Sequence, residues 1–548
     1  MVESIGDNAF TDGGLTDVYA YTISPITIGQ NTFKYAGVTL HAPQTPESVF
    51  NDYYYNTQWS QFANVVDFQA EYSSWYAPED YDIVVESGEE IPSEDKENGA
   101  NGEMQPGSGL IYEDGSSQKL DELSMNWEDG KNYPSLIHNE DVDINSLSIT
   151  LNVQKNKWYF FCFPFDIDLT TATYPSKHYV WRWYDGNERA LHGVGGWKNT
   201  VGNTLTAGQG YIFQTNKAGE LVLHIASPEL GNGDTEVDLE AHASGELQDA
   251  NWNFVGNKNL SYYDINALTS EFQSPITVWD AANSTYTAIV PGDDEYSFHP
   301  YEAFFVQKPN EKSKISFGSN GRETFNQKQK KEAEARAMVR EAYNNNPRKI
   351  INLTISDGAK TDKTRVVFND ERSESYEQEC DASKFLSSGV PQIYTMDAKS
   401  VKYAINERDK GAGAVNIGYV ASEAGSYVIR AQRMDCPMAL KDNVTGAVWK
   451  LSEGAYSFNT EAGTHEARFT LIPADEATSV NEVKTLGELS LSSVGGGIAV
   501  KGLNGKSLTV YSLGGAAIAT ADADGMVSLP AGVYVVSCDG KTVKMSIR

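Results

Sequence analysis

Basic residues are scarce: 43 Lys and Arg stand against 75 Asp and Glu, a formal net charge of −32. A surface of that sign repels a polyanion, and phosphate recognition needs clustered Lys and Arg, so nucleic acid is excluded as a partner. Cysteine is scarcer still. The four thiols (Cys162, Cys380, Cys436, Cys538) are too few and too scattered for a disulfide framework or a zinc site. A Cys380–Cys436 bridge is the one pairing left open, against buried free thiols. No apolar run of about 18 residues occurs, so no transmembrane segment is expected. The opening MVESIGDNAF has no basic n-region and no apolar h-region. That leaves a cytosolic protein or a fragment whose export signal lay upstream, and the repeat described below favours the fragment.

Catalytic constellations are also missing. The eight His (41, 138, 178, 192, 224, 242, 299, 465) are isolated, and there is no H-E-x-x-H, G-x-S-x-G, Walker A or helix-opening G-x-G-x-x-G. The chain is therefore expected not to be an enzyme and to use no cofactor and no metal. Asp166 and Asp168 would share one face of a strand and form a carboxylate pair, but a solvated strand end is the simpler reading. Asp522-Ala523-Asp524-Gly525 looks calcium-like yet lacks further oxygen ligands, so turn chemistry explains it. Cys162, set between Phe161 and Phe163, reads as a core thiol rather than a nucleophile paired with His178.

Aromatic residues are plentiful, with 30 Tyr, 21 Phe and 10 Trp, enough for several cores along 548 residues and about three to five domains. Ser4-Ile5-Gly6-Asp7-Asn8-Ala9-Phe10 returns 23 residues later as Thr27-Ile28-Gly29-Gln30-Asn31-Thr32-Phe33. That period lies within the ~20–29 residues of leucine-rich repeats, each one strand plus a turn or helical segment. The repeated Ile and Phe are expected to point inward and stack. Roughly three such units are needed to bury a core, so two at residues 1–67 imply lost upstream coils. Val38 to Pro43, Tyr53 to Tyr55 and Trp59-Ser60-Gln61-Phe62 would cap the last coil. Residues 68–104 follow as an acidic linker; 78–104 carries ten acids and one base, Lys96.

From 105 to 325 the strand signal takes over, as in the alternating Leu147 to Val153. Trp158, Val180-Trp181 and Gly210 to Gln214 are echoed by Trp252, Val278-Trp279 and Ala303 to Gln307, so a duplicated β unit is expected. Its Trp181, Trp183, Tyr184 and Trp197, with Trp279, Tyr286 and Tyr296, either build cores or form a stacking platform for a glycan or peptide ligand. Trp181, Trp183, Trp197 and Trp279 are the candidate contacts. Residues 326–348 hold the one strong helix signal, near 326–346, with a thin apolar stripe that marks it as exposed. Short alternating runs over 349–473 suggest a β-sandwich, 474–484 a polar linker, and 485–548 a small C-terminal β-sandwich with Gly at its turns.

Two resemblances follow. The order I-G-x-x-A/T-F, T-L-x-x-P, W-x-x-F over residues 2–67 resembles the last coils of BspA-like leucine-rich repeat proteins of Bacteroidetes surfaces, although Asp12-Gly13-Gly14 stands where those repeats often carry Cys. The C-terminal string Ile498-Ala499-Val500-Lys501-Gly502, Leu508 to Gly515, Gly525, Leu529 to Val536 and Lys544 resembles the Ig-like sorting domain of the type IX secretion system. The carrying positions are Gly502, Tyr511, Gly514, Gly515, Leu529, Pro530, Gly532, Val533, Tyr534 and Lys544. The resemblances imply export by the type IX machinery, a cell-surface or extracellular location, and adhesion to host matrix, bacterial or glycan ligands. A secreted enzyme with its catalytic part upstream, or a glycan-binding module, is the alternative.

Overall fold

The computed structural model describes residues 4–10, 15–20, 25–33, 37–43, 53, 58–62, 64–68, 83–92, 100–112, 119–138, 142–228, 230, 234–268, 272–331, 347–409, 413–474, 482–486, 488–494 and 496–547. The chain divides into two compact units, 1–84 and 85–548. It is mainly β, with a solenoid-like arrangement of parallel strands.

In the first unit the 23-residue repeat stacks coil on coil. Ser4–Ile5 pairs in parallel with Thr27–Ile28, Phe10 bridges to Phe33, and the two rings stack at 5.3 Å. Phe33 is buried, whereas Phe10, covered from one side, is 44% exposed. A second parallel sheet joins Asp17–Tyr19, Thr39–Pro43 and Asn64–Phe68. Its inward Val18, Leu40 and Val65 pack with Ile28 and Phe33. The residues read as a cap close this core: the Trp59 and Phe62 rings lie against Phe33, and Trp59 Nε1 donates to the Ile26 carbonyl at 2.9 Å. Tyr54, Tyr55 and Asp12 to Gly14 lie outside the described residues.

The second unit opens on parallel strands that the sequence analysis did not anticipate. Ala100–Met104, Lys119–Glu128 and Asp143–Val153 form one parallel sheet; Glu90–Pro92, Gly109–Tyr112 and Ser135–His138 form another. Leu123 lies opposite Leu147 and Met125 opposite Ile149, all fully buried or nearly so. Part of the stretch read as an acidic linker is thus strand, and pairing runs across residue 105. The physical reason is that a ladder is made by backbone groups, while alternate side chains leave the sheet. Charge on the outer face does not oppose it: Glu103 points outward and accepts from Asn126 Nδ2 at 2.8 Å.

Asp143–Val153 ends the parallel sheet and pairs antiparallel with Gly219–Ala226. Between them lies the first half of the duplicated unit. Its four-stranded sheet runs Tyr159–Cys162, Gly210–Thr215, Tyr179–Tyr184, Trp197–Asn199. The second half repeats this order with Trp252–Gly256, Ala303–Gln307, Ile276–Asp280, Thr285–Ile289, bracketed by the pair Thr235–Asp238 and Lys314–Phe317. Each half also carries a short antiparallel pair, Ile167–Asp168 with Thr204–Leu205 and Tyr263–Asp264 with Ser297–Phe298.

Residues 349–473 supply eleven strands among the described residues, from Lys349–Ser356 to Gly463–Pro473, around a core that includes Ile351, Leu353, Ile417, Tyr427, Phe458 and Phe469. Beyond them two four-stranded layers enclose Leu491, Val500, Val510, Val536 and Met545. One layer runs Glu482–Leu486, Leu489–Val494, Gly497–Lys501, Gly525–Ser528; the other runs Ala517–Ala521, Leu508–Ser512, Gly532–Cys538, Lys541–Ile547. The first is not separate from what precedes it, because Gly525–Ser528 pairs in parallel with Ala455–Thr460. Of the expected helix only its start, to Lys331, is described, and most of the linker at 474–484 likewise lies outside the described residues.

Candidate functional site

Alternation sets the outer face of the N-terminal coils. With Val18, Leu40 and Val65 turned inward, Asp17, Thr39 and Asn64 form one outward row, and Tyr19, His41 and Val66 form the next. The Tyr19 and His41 rings stack at 4.2 Å, and His41 Nε2 lies 2.8 Å from Asp17 Oδ1, a hydrogen bond that holds the Asp17 carboxyl below its ordinary pKa. Tyr19 is 48% exposed and Val66 37%. An aromatic and aliphatic row flanked by polar groups is a surface suited to contact with another macromolecule.

The aromatic residues of the duplicated unit do not share one surface. Trp181 is buried on one face of its sheet, against Phe161, Tyr211 and Phe213, and alternation places Trp183 on that same face, half-buried. Tyr184 and Trp197 occupy the opposite face. There they meet the second half: Trp197 packs edge-on to Phe254 at 5.3 Å, and Tyr184 to Phe305 at 4.8 Å. Phe160 stacks on Trp279 at 5.1 Å, and Tyr286 packs beside both. Strand register corrects the equivalence drawn from sequence. Trp181 lies opposite Phe213 and Ile276 opposite Val306, and these two partners each precede the Gln shared by the two strands, Gln214 and Gln307. Trp279 therefore matches Tyr184, not Trp181, and Tyr286 matches Trp197. The two halves meet through equivalent residues, so Trp197 and Trp279 serve packing between them. Tyr296 is elsewhere, beside the second half's own core, with its hydroxyl donating to Glu302 Oε1 at 2.5 Å.

The C-terminal positions fall into three groups. Leu529 and Tyr534 are buried, and the Tyr534 hydroxyl donates to the Pro530 carbonyl at 2.9 Å, closing the bend that Gly532 allows. Gly502, at φ +93°, turns the chain so that its N–H and that of Leu503 donate to the Asp524 carboxylate at 2.9 and 2.8 Å. Asp524 thus has a turn role. Tyr511 and Val533 are half-buried, while Gly514, Gly515, Pro530 and Lys544 are exposed, the two glycines forming the tight turn after Ser512.

The remaining candidates have local partners. Asp166 Oδ1 accepts from the Ala207 N–H, and Asp168 Oδ1 accepts from the Thr170 hydroxyl and N–H, which lower its pKa. Burial pushes the Cys162 thiol up to about 12, as suits a core residue. None of the four cysteines is in a disulfide, so the Cys380–Cys436 pairing is not formed. No cluster of metal-ligating side chains occurs among the described residues.

Sequence reasoning missed the contact of the duplicated unit with residues 349–473. Thr285 on the outer strand of the second half donates to Asp362 Oδ1 at 2.7 Å; Lys384 Nζ pairs with Asp362 at 2.7 Å, and both charged side chains are fully buried. Arg348 bridges Asp293 and Glu407 at 2.9 and 2.7 Å. Phe385 enters the aromatic cluster against Trp252, Tyr286 and Phe305, and Arg189 of the helix Gly186–His192 lies 4.3 Å over its ring.

A family model matches across this contact: a domain of unknown function, DUF8693, covers residues 279–472. It starts within the second half and ends at the last strand before the 474–484 linker. No curated protein matches the chain.

Proposed function

We propose that this chain is part of a cell-surface or secreted leucine-rich repeat protein that binds a macromolecular partner through the outward rows of its N-terminal coils, with residues 485–548 as a type IX sorting domain. The observation that carries the reading is the parallel, in-register stacking of the N-terminal coils, which lines up Tyr19, His41 and Val66 as one outward row. Stacked coils offer an extended binding surface, and the β units behind them serve as spacers. The two layers around Leu491 and Val536, with the Tyr534–Pro530 bond at their bend, favour an Ig-like β-sandwich for the tail.

Two measurements separate the parts of this reading. Tyr19→Ser with His41→Ser should abolish retention on a panel of immobilised matrix glycoproteins while leaving the fold unchanged; equal retention by the variant refutes the binding face. Expressed behind an added secretory signal peptide in a type IX-competent host, the full chain should reach the cell surface. A variant with Gly514, Gly515 and Lys544 replaced, all exposed, should fold but stay inside; surface display of that variant would count against the sorting role.

A further inference from the structure

The tail is held to the preceding β unit by far more than its linker. Ala455 lies opposite Gly525, Tyr456 opposite Met526 and Ser457 opposite Val527 in a parallel pair. Gly525, at φ +155°, is so close to Ala455 that a Cβ would collide with the Ala455 carbonyl oxygen, so a side chain at 525 forbids the approach. Behind the strands the fully buried Asp442 carboxylate accepts from both sides: from Tyr456 and Arg468, each at 2.9 Å, and from Ser528 Oγ of the tail at 3.1 Å. Val494, Ala499 and Met526 of the tail belong to the same apolar core as Tyr456 and Phe458. At the rim Asn459 Nδ2 donates to the Ile518 carbonyl, and Ala455 N–H donates to the Asp524 carbonyl at 3.2 Å.

We infer that residues 482–548 stay bound to residues 349–474 after the chain between them is cut. A strand pair, a shared core and a buried carboxylate bonded from both sides make one interface, and none of these contacts passes through residues 475–481. The partner of the Ala455–Thr460 edge is thus the chain's own tail, docked as a non-covalent clamp. Proteolysis in the linker leaves the clamp in place and keeps the edge strand and Asp442 covered. This holds whether or not the tail is an export address.

The test uses the full chain with a site-specific protease sequence in place of residues 475–481, cut after folding. The two fragments should co-elute on gel filtration at the volume of the intact chain and separate only in denaturant. Elution as two species in native buffer overturns the inference. Gly525→Val should release the tail on cutting, and retention by that variant would show that the strand pair is not what holds it. Because that substitution can also unfold the tail, Ser528→Ala with Asn459→Ala is the second arm. It should speed release on dilution at least ~10-fold, as expected for the loss of two polar contacts across the interface; an unchanged release rate again rejects the interface.

Discussion

The two halves of the duplicated unit share strand order and register, yet they are put to different uses. In the first half the outer strand, Trp197–Asn199, carries Lys198, which pairs at the surface with Glu188 of the neighbouring helix, and the nearby Val194 and Val201 are 74% and 93% exposed. In the second half the outer strand, Thr285–Ile289, is buried against the next unit, and Ala288 packs with Ala382, Ala404 and Ile405. The inner, aromatic faces of both halves are alike and meet each other. The difference shows that topology followed the inner face, while the outer strand was free to acquire a new neighbour. The outer strand of the second half meets a fully buried ion pair, Asp362 with Lys384, and that charge belongs to the neighbour.

The comparison is most sharply broken at that charge. Lys384→Met leaves Asp362 buried without its cation and should destabilise the protein by about 3–5 kcal/mol in a urea titration. Lys198→Met, on the corresponding strand of the first half, should leave the midpoint in place. Next comes Asp381, whose carboxyl burial pushes up to about 8 despite N–H donation from Glu377 and Glu407. Since the unfolded carboxyl titrates near 4, the native state holds the extra proton between these values. Stability from this group is therefore full below about pH 4 and lost as the pH rises towards 8. Asp381→Asn should flatten that slope, which cannot exceed about 1.4 kcal/mol per pH unit, as read from denaturation at stepped pH. Phe385→Ala should cost about 2–3 kcal/mol, a little less than a fully buried ring, and uncouple the aromatic cluster from residues 349–473. Trp183→Ala, on the face of the first half turned from its twin, should cost about 1 kcal/mol. A cost equal to that of Phe385→Ala would mean that the first half, too, has a packed outer neighbour.

Much of this was legible where one residue type recurs at one spacing. The 4–10 and 27–33 repeat announced its own stacking, because a parallel ladder converts equal spacing into contact. Gln214 and Gln307 marked equivalent points of two equivalent strands. Trp181 and Trp279 misled, since a shared Val-Trp dipeptide says nothing of register and only the pairing with Phe213 and Val306 sets it. The strands at Glu90–Pro92 and Ala100–Met104 were hidden for another reason: their acids dominate the local composition, while a parallel ladder depends on backbone groups and on partners some 20 residues away. The Asp362–Lys384 contact, joining residues distant in sequence from Thr285, left no local trace at all. Of the site, the Tyr19 row was implicit in the strand alternation, but its His41–Asp17 contact came only with the coil offset.

The reversal of chain direction between Asp143–Val153 and Gly219–Ala226 has one more consequence. Upstream of it the architecture is modular in length: a further rung of about 23 residues could be spliced in without altering any neighbour's geometry. At the reversal that freedom ends, because the returning strand cannot present the edge a new rung would require. Growth of the parallel ladder is thus open in one direction only, and added rungs would leave the antiparallel part as it is.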